Sequence, residues 1–178
     1  LRIHHGAVTS QPIKGTAPRH TDPEQDAALA KALLNSEKDR AENVMITDLL
    51  RNDLGQFCET GSVKVTELCG LHSFNNVHHL ISTIEGKLAP GVSAGQMLLA
   101  TSPGGSITGA PKKRAVEIIA ELEATTRGAY CGSLFILGGD DWLQSSIAIR
   151  TLEATGDTVH CWGGGGITAS SQWAAEAQ

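Results

Sequence analysis

An α+β fold is what this sequence predicts, and three observations carry the prediction. Helix-like and strand-like patterns come in groups, without the strict alternation that repeated β-α-β units show. The spacing of apolar residues changes near Gly61 from helical to two-residue alternation. Glycine is frequent, at 20 residues, and aromatics make up only 4%, which suits an enzyme rich in backbone-lined turns.

Each element has its own signal. Residues 1–21 read as a short extended stretch and then a loop, 11–19, that holds Pro12, Lys14 and Gly15. Asp22 before Pro23 predicts a helix start, because Asp caps free amides and Pro needs no donor in the first turn. Ala27, Ala30, Leu33 and Leu34 continue it at helical spacing. A second helix is predicted over 37–54, with Ala41, Val44, Met45 and Leu49 as its apolar face and Gly55 ending it. Val63, Val65 and Leu68 predict a strand, and residues 77–84 another. Pro90 and Gly91 mark a turn before a short helix over 94–100. A glycine-rich loop spans 103–110, and Pro111 opens a helix that runs to about Leu122. Strands are predicted at 130–137, 145–153 and 158–162, then a glycine run at 163–166 and a last helix after Ser171. The chain starts at Leu1 and stops at Gln178 within a helical pattern. Both ends therefore read as cut, and residues 1–178 are expected to be a piece of one domain.

Charge and cysteine usage exclude several classes. Fourteen Lys and Arg face 19 acids, for a net charge of −5, and no basic run exists, so a nucleic-acid partner is not expected. No apolar stretch reaches membrane-spanning length and no signal peptide opens the chain, so a membrane partner is not expected either. Cys58, Cys69, Cys131 and Cys161 form no C-x-x-C pair, which argues against a zinc ribbon and for a reduced, cytoplasmic protein.

Several constellations can carry chemistry. Asp39 and Glu42 lie three apart in a helical pattern and share a face, and Glu176 lies on the last helix. Carboxylates from two helices can hold Mg²⁺, although solvated acids are the commoner meaning of such residues. Lys14 sits between Ile13 and Gly15 in a stiffened segment, where its amine is either a nucleophile or a solvated charge. The run 103–112 offers backbone amides, Ser106, Thr108 and Lys112 to an anion at a helix start. It is not a P-loop, because Ala110 and Pro111 follow Gly109 where Lys and Ser or Thr are required. A structural glycine turn is the alternative. Arg150 can bind a carboxylate in bidentate fashion or serve a structural ion pair, and Gly164, Gly165 and Gly166 can cover the same ligand group. His78 and His79 are adjacent on a strand and point to opposite faces.

Pro12-Ile13-Lys14-Gly15-Thr16, Asp39-Arg40-Ala41-Glu42-Asn43, Arg51-Asn52-Asp53-Leu54, Val77-His78-His79-Leu80, the run from Gly104 to Lys112, and Ile149-Arg150-Thr151 occur in this order. Together they resemble the chorismate-binding enzymes, which include anthranilate synthase component I, aminodeoxychorismate synthase component I, and the isochorismate and salicylate synthases. The resemblance covers essentially the whole chain. It implies the C-terminal part of a catalytic domain built as a layered α/β/β/α sandwich. It also implies Mg²⁺ held by glutamates against the ring carboxylate of chorismate, with Glu42 as one ligand. Glu176 matches the first of two acids on the last helix and, with Asp39, is implied as an acid that orients metal-bound water. Arg150 matches the residue at the enolpyruvyl carboxylate, His79 a histidine near the ring, and Gly164 to Gly166 a backbone contact to substrate carboxylate.

Lys14 separates the subfamilies. Where anthranilate synthases have alanine, the aminodeoxychorismate synthases have this lysine, and the implied role is covalent: its amine attacks the ring, and ammonia then displaces it. The implied product is 4-amino-4-deoxychorismate, a precursor of p-aminobenzoate and folate, with ammonia supplied by a glutamine amidotransferase partner. The alternatives are an anthranilate synthase component I or a non-catalytic relative that binds chorismate. Two departures from the pattern stand out: Ile136 where a tyrosine near the enolpyruvyl carboxylate is usual, and residues 169–174 where an acidic stretch is usual.

Overall fold

The structure, a computed structural model, describes residues 1–167 and Ala174. Strands β1 (Arg2–His4) and β2 (Ala7–Ser10) pair as a hairpin, with Ile3 opposite Val8. His5 and Gly6, both at positive φ, make the turn. The segment expected as a loop is instead strand β3 (Ile13–Pro18). Its prolines, Pro12 and Pro18, fall just before and at the end of the strand, where a missing donor costs little.

Helix α1 (Pro23–Leu34) begins as the sequence predicts: the Asp22 carboxylate accepts from the Glu24 and Gln25 amides at 2.8 and 3.2 Å. Helix α2 (Glu37–Gly55) is capped by Ser36. Its buried side is not the predicted one. Val44 and Met45 are 44% and 51% exposed, while Asn43, Ile46, Thr47, Asp53 and Leu54 are buried. Apolar periodicity missed this face because three of its five members are polar: Asn43 and Asp53 meet partners on the sheet and on the helix that starts at Lys112, and Thr47 bonds to Asn43.

Strands β4 (Lys64–Ser73) and β5 (Val77–Lys87) form a long hairpin. Helix α3 (Ala94–Thr101) opens with a reciprocal Ser93–Gln96 capping box. The glycine-rich run contains a single helical turn, α4 (Gly105–Thr108), followed by α5 (Lys112–Leu122). Strands β6 (Ser133–Leu137) and β7 (Leu143–Ile147) pair, as do β8 (Leu152–Thr155) and β9 (Thr158–Cys161). The single strand expected over 145–153 is split, because the chain turns at Arg150, whose φ is +54°. The helix expected after Ser171 lies outside the described residues.

Strand β5 organises a seven-stranded antiparallel sheet. One edge pairs with β4. The other carries β3 along its first half and β2 along its second, and the sheet continues through β1 and β7 to β6. Helix α2 packs across β5, β3 and β4. The main core forms where the end of α2, α3 and the strands meet, around Ile3, Val8, Leu54, Ile84, Met97 and Leu143, each 1% exposed or less. Each such side chain contributes about 1.5–3 kcal/mol on leaving water. A smaller cluster of Ala17, Leu33 and Leu80 seats α1. Strand β6 is the outermost of the sheet, and Leu134, Phe135, Ile136 and Leu137 on it are exposed. No helix among the described residues is long and apolar enough to cross a membrane.

Candidate active site

Helix α2 and strand β3 bring the first two site candidates together. The Lys14 amine lies 3.4 Å from Glu42 Oε2, and the two side chains are 27% and 14% exposed. The glycine run reaches the same place: a Cβ built on Gly166 would stand 3.1 Å from Lys14 Nζ. A bare backbone at Gly166 therefore lets the amine sit close. Gly15, at φ +90°, packs against Asp39, where an added Cβ would meet the Asp39 Cβ at 3.0 Å. The Asp39 carboxylate itself accepts from the Ser36 hydroxyl at the head of α2.

These carboxylates are hard oxygen donors of the kind Mg²⁺ takes. Among the described residues, no three His, Cys, Asp or Glu side chains form a complete ligand set. Glu176, the remaining acid of the expected set, lies outside the described residues. Glu42 and Asp39 fit such an ion in the chemistry of their oxygen donors.

The glycine run has a second neighbour that sequence reasoning did not single out. A Cβ on Gly164 would stand 2.7 Å from the Tyr130 hydroxyl. The Tyr130 ring stacks on Trp162 with centroids 6.2 Å apart and planes 8° apart, and the Arg127 guanidinium lies 5.9 Å from its centroid. Arg127 is fixed in turn by two bonds to Glu123, at 2.6 and 2.8 Å, and by one to the Ile107 carbonyl at 3.3 Å. Burial, and then the neighbouring Cys131, push the Tyr130 phenol above its usual pKa, so it remains a donor at neutral pH. Ile136, by contrast, is 63% exposed on β6. Sequence reasoning took Tyr130 only as the first residue of the strand expected over 130–137, whereas β6 starts at Ser133 and Tyr130 precedes it.

Other candidates fall elsewhere. By the pleat of β5, Leu80 and Ser82 face α2, so His79 lies on the opposite face of the sheet from Lys14 and Glu42. There it bonds to Thr16 Oγ1 at 2.9 Å and meets the Phe74 ring edge-on. Its neighbour His78 is buried between Ser73 and Asp26. The Lys112 amine pairs with Asp53 at 2.8 Å, which ties α5 to α2. Thr108 bonds back to the Gly104 carbonyl, and Gly105 packs directly on Leu49 of α2. Ser106 lines a cavity of about 400 Å³ that Ile46, Leu50, Ile147, Pro12 and Ile13 also line, next to Lys14 in the chain. Arg150 is exposed and forms no ion pair among the described residues. Gly165 lies between the two glycines that touch Tyr130 and Lys14.

Comparison with known proteins bears on this arrangement. A family model described as chorismate binding enzyme matches residues 1–178. Aminodeoxychorismate synthase component 1 of Klebsiella aerogenes is 52% identical over all 178 residues, which span 40% of that protein. Anthranilate synthase component 1 of Streptomyces coelicolor is 47% identical over 169 residues, 95% of this chain and 33% of that protein. Among solved structures, anthranilate synthase component I from Streptococcus pneumoniae superposes with a TM-score of 0.75 at 42% identity, covering 85% of this chain and 33% of that one. The chain thus spans about two fifths or less of these three relatives, and its α+β architecture is theirs. Matched by the family model from end to end, the chain belongs to the chorismate binding enzymes.

Proposed function

We propose that the protein containing this chain is an aminodeoxychorismate synthase component I, which converts chorismate and ammonia to 4-amino-4-deoxychorismate with Lys14 as a covalent catalyst. The observation that carries this reading is the Lys14 amine held 3.4 Å from Glu42 under the Gly166 backbone. The relatives at 50% and 52% identity over the whole chain bear that name, and they support the choice of subfamily.

In this reading the free amine of Lys14 bonds to ring carbon C2. The ring double bonds shift, and the C4 hydroxyl leaves with a proton as water. Ammonia then bonds to C4, the double bonds shift back, and the C2–Nζ bond breaks to return the lysine. Two easier displacements replace one difficult one. Glu42 would hold Mg²⁺, with Asp39 and Glu176 as the acids that orient its water, and the ion when bound draws charge onto the ring carboxylate. Glu42 also orients the Lys14 amine. The Gly164 to Gly166 backbone and the Tyr130 hydroxyl form a donor surface for a substrate carboxylate, and Arg150 supplies an exposed guanidinium. Ammonia comes from a glutamine amidotransferase partner.

The test uses the complete protein with chorismate, Mg²⁺ and ammonium, and identifies products by mass. Aminodeoxychorismate formation cut sharply, to a measurable remainder, in Lys14→Ala supports the reading. Unchanged turnover in Lys14→Ala removes the covalent role, and anthranilate as product moves the protein to the neighbouring subfamily.

A further inference from the structure

Strand β3 does not run regularly past the site. Ile13 pairs with Ile81 and Thr16 pairs with His79, so Lys14 and Gly15 together face the single residue Leu80. That is a β-bulge, a device that re-aims side chains and leaves ladder groups without partners. Its effect shows in the exposure pattern. Ile13 and Ala17, which an unbroken strand would place on one face, are 50% and 9% exposed. The extra residue turns Lys14 toward α2 while Ala17 still packs on Leu33 and Leu80.

One side chain bonds to carbonyls of both strands at the bulge. Asn43, fully buried on α2, donates from Nδ2 to the Leu80 carbonyl at 3.0 Å and to the Lys14 carbonyl at 3.4 Å. Its own oxygen accepts from Ser82 at 2.5 Å and from Thr47 at 3.3 Å. Ser82 in turn accepts from the Cys69 amide at 2.9 Å, so β4 joins the network. No buried polar side-chain atom among the described residues is left without a partner. A buried amide satisfied on both ends fixes its neighbours far more tightly than an apolar contact. Asn43 directly follows Glu42 in α2, so the same turn of helix that presents the carboxylate also holds the backbone of the lysine.

We infer that Asn43 is a positioning residue for the Lys14 chemistry, plugging the bulge so that the Lys14 amine and Glu42 are set at a fixed separation. The inference rests on the proposed role of Lys14. Asn43 touches no substrate and acts only through the Lys14 and Leu80 carbonyls.

The test measures steady-state kinetics of the complete protein with chorismate, ammonium and Mg²⁺ for Asn43→Ser and Gly15→Ala, each alone and combined with Lys14→Ala. Gly15→Ala disturbs the bulge from the strand side, through its positive φ and its contact with Asp39, and decides the matter if Asn43→Ser fails to fold. With Lys14 present, kcat is expected to fall about 100-fold, the scale of a misplacement of roughly 1 Å, with the KM for chorismate unchanged. In the Lys14→Ala background the same changes should cost almost nothing further, because a positioning residue has lost what it positions. An equal fall in both backgrounds, or a rise in KM with kcat intact, overturns the inference. Failure of the lysine reading shows separately, as unchanged turnover in Lys14→Ala alone.

Discussion

Lys14 Nζ and Glu42 Oε2 stand 3.4 Å apart across the seam between strand β3 and helix α2. In the proposed function that one carboxylate does two things: it holds the amine and it serves the metal. Glu42→Gln keeps the shape and removes the charge. The expected result is a shift of about 10–100-fold in the Mg²⁺ concentration for half-maximal activity, with much lower turnover at saturation. Titrating Mg²⁺ against initial rate checks it. A variant with an unchanged Mg²⁺ requirement would leave Glu42 with the lysine alone.

Tyr130 offers its hydroxyl beside Gly164 while its ring is held by Trp162 and Arg127. Tyr130→Phe removes the donor and keeps the stack. If the phenol binds a substrate carboxylate, losing a hydrogen bond to a charged group costs about 1.5–3 kcal/mol, which is a rise of about tenfold or more in the KM for chorismate. Thermal stability should barely change. Unchanged kinetics would give Tyr130 a purely structural place and return attention to Arg150.

How much of this was legible beforehand depends on what each residue answers to. Local signals were reliable: the Asp22-Pro23 start of α1, the Ser36-headed α2 and the helix after Pro111 all stand within a residue or so of prediction. Lys14 and Glu42 were each singled out by motif, as a nucleophile and a metal ligand, but their pairing at 3.4 Å came only with the structure. Long-range packing was not legible. The buried face of α2 was misread because Asn43, Thr47 and Asp53 are polar; the partners of Asn43 and Asp53, namely Leu80, Ser82 and Lys112, are distant in sequence, and Thr47 bonds to Asn43 itself. Strand β3 was misread as a loop because proline and glycine normally punctuate, whereas here Gly15 builds a bulge. His79 is on a strand as expected, but only the register shows that it lies across the sheet from Lys14.

Lys112 distinguishes two meanings of a lysine at a helix start. As a substrate contact it would be spared by folding, yet the structure pairs it with Asp53, with side chains 23% and 10% exposed. Breaking a buried ion pair strands the other charge and costs about 3–5 kcal/mol when burial is complete. Partial exposure here lowers the expectation to about 2–3 kcal/mol for Lys112→Met. Urea unfolding of the complete protein measures it. A stable Lys112→Met protein with a raised KM for chorismate would instead make Lys112 a ligand of the substrate.

Asp26 ties α1 to the tip of the β4–β5 hairpin, and the tie depends on its charge. Arg19 Nε donates to both carboxylate oxygens at 2.9 and 3.1 Å, the His20 amide donates at 2.9 Å, and His78 Nε2 lies 3.1 Å away. Arg19 first, and then the His20 and His78 bonds, hold the Asp26 carboxyl far below the ordinary carboxylate range. A carboxyl depressed by folding stabilises the native state at every pH above its unfolded value, about 3.9, and that contribution drains away as pH falls from there toward the folded value. Asp26→Asn removes the charge at all pH values. Its melting temperature should therefore lie below that of the unsubstituted protein at neutral pH, and the gap should narrow as pH drops below about 4. Thermal melts of both proteins from about pH 7 down to about pH 2.5 would show this. A gap that stays constant through acid would mean that Asp26 contributes shape and hydrogen bonds but not charge.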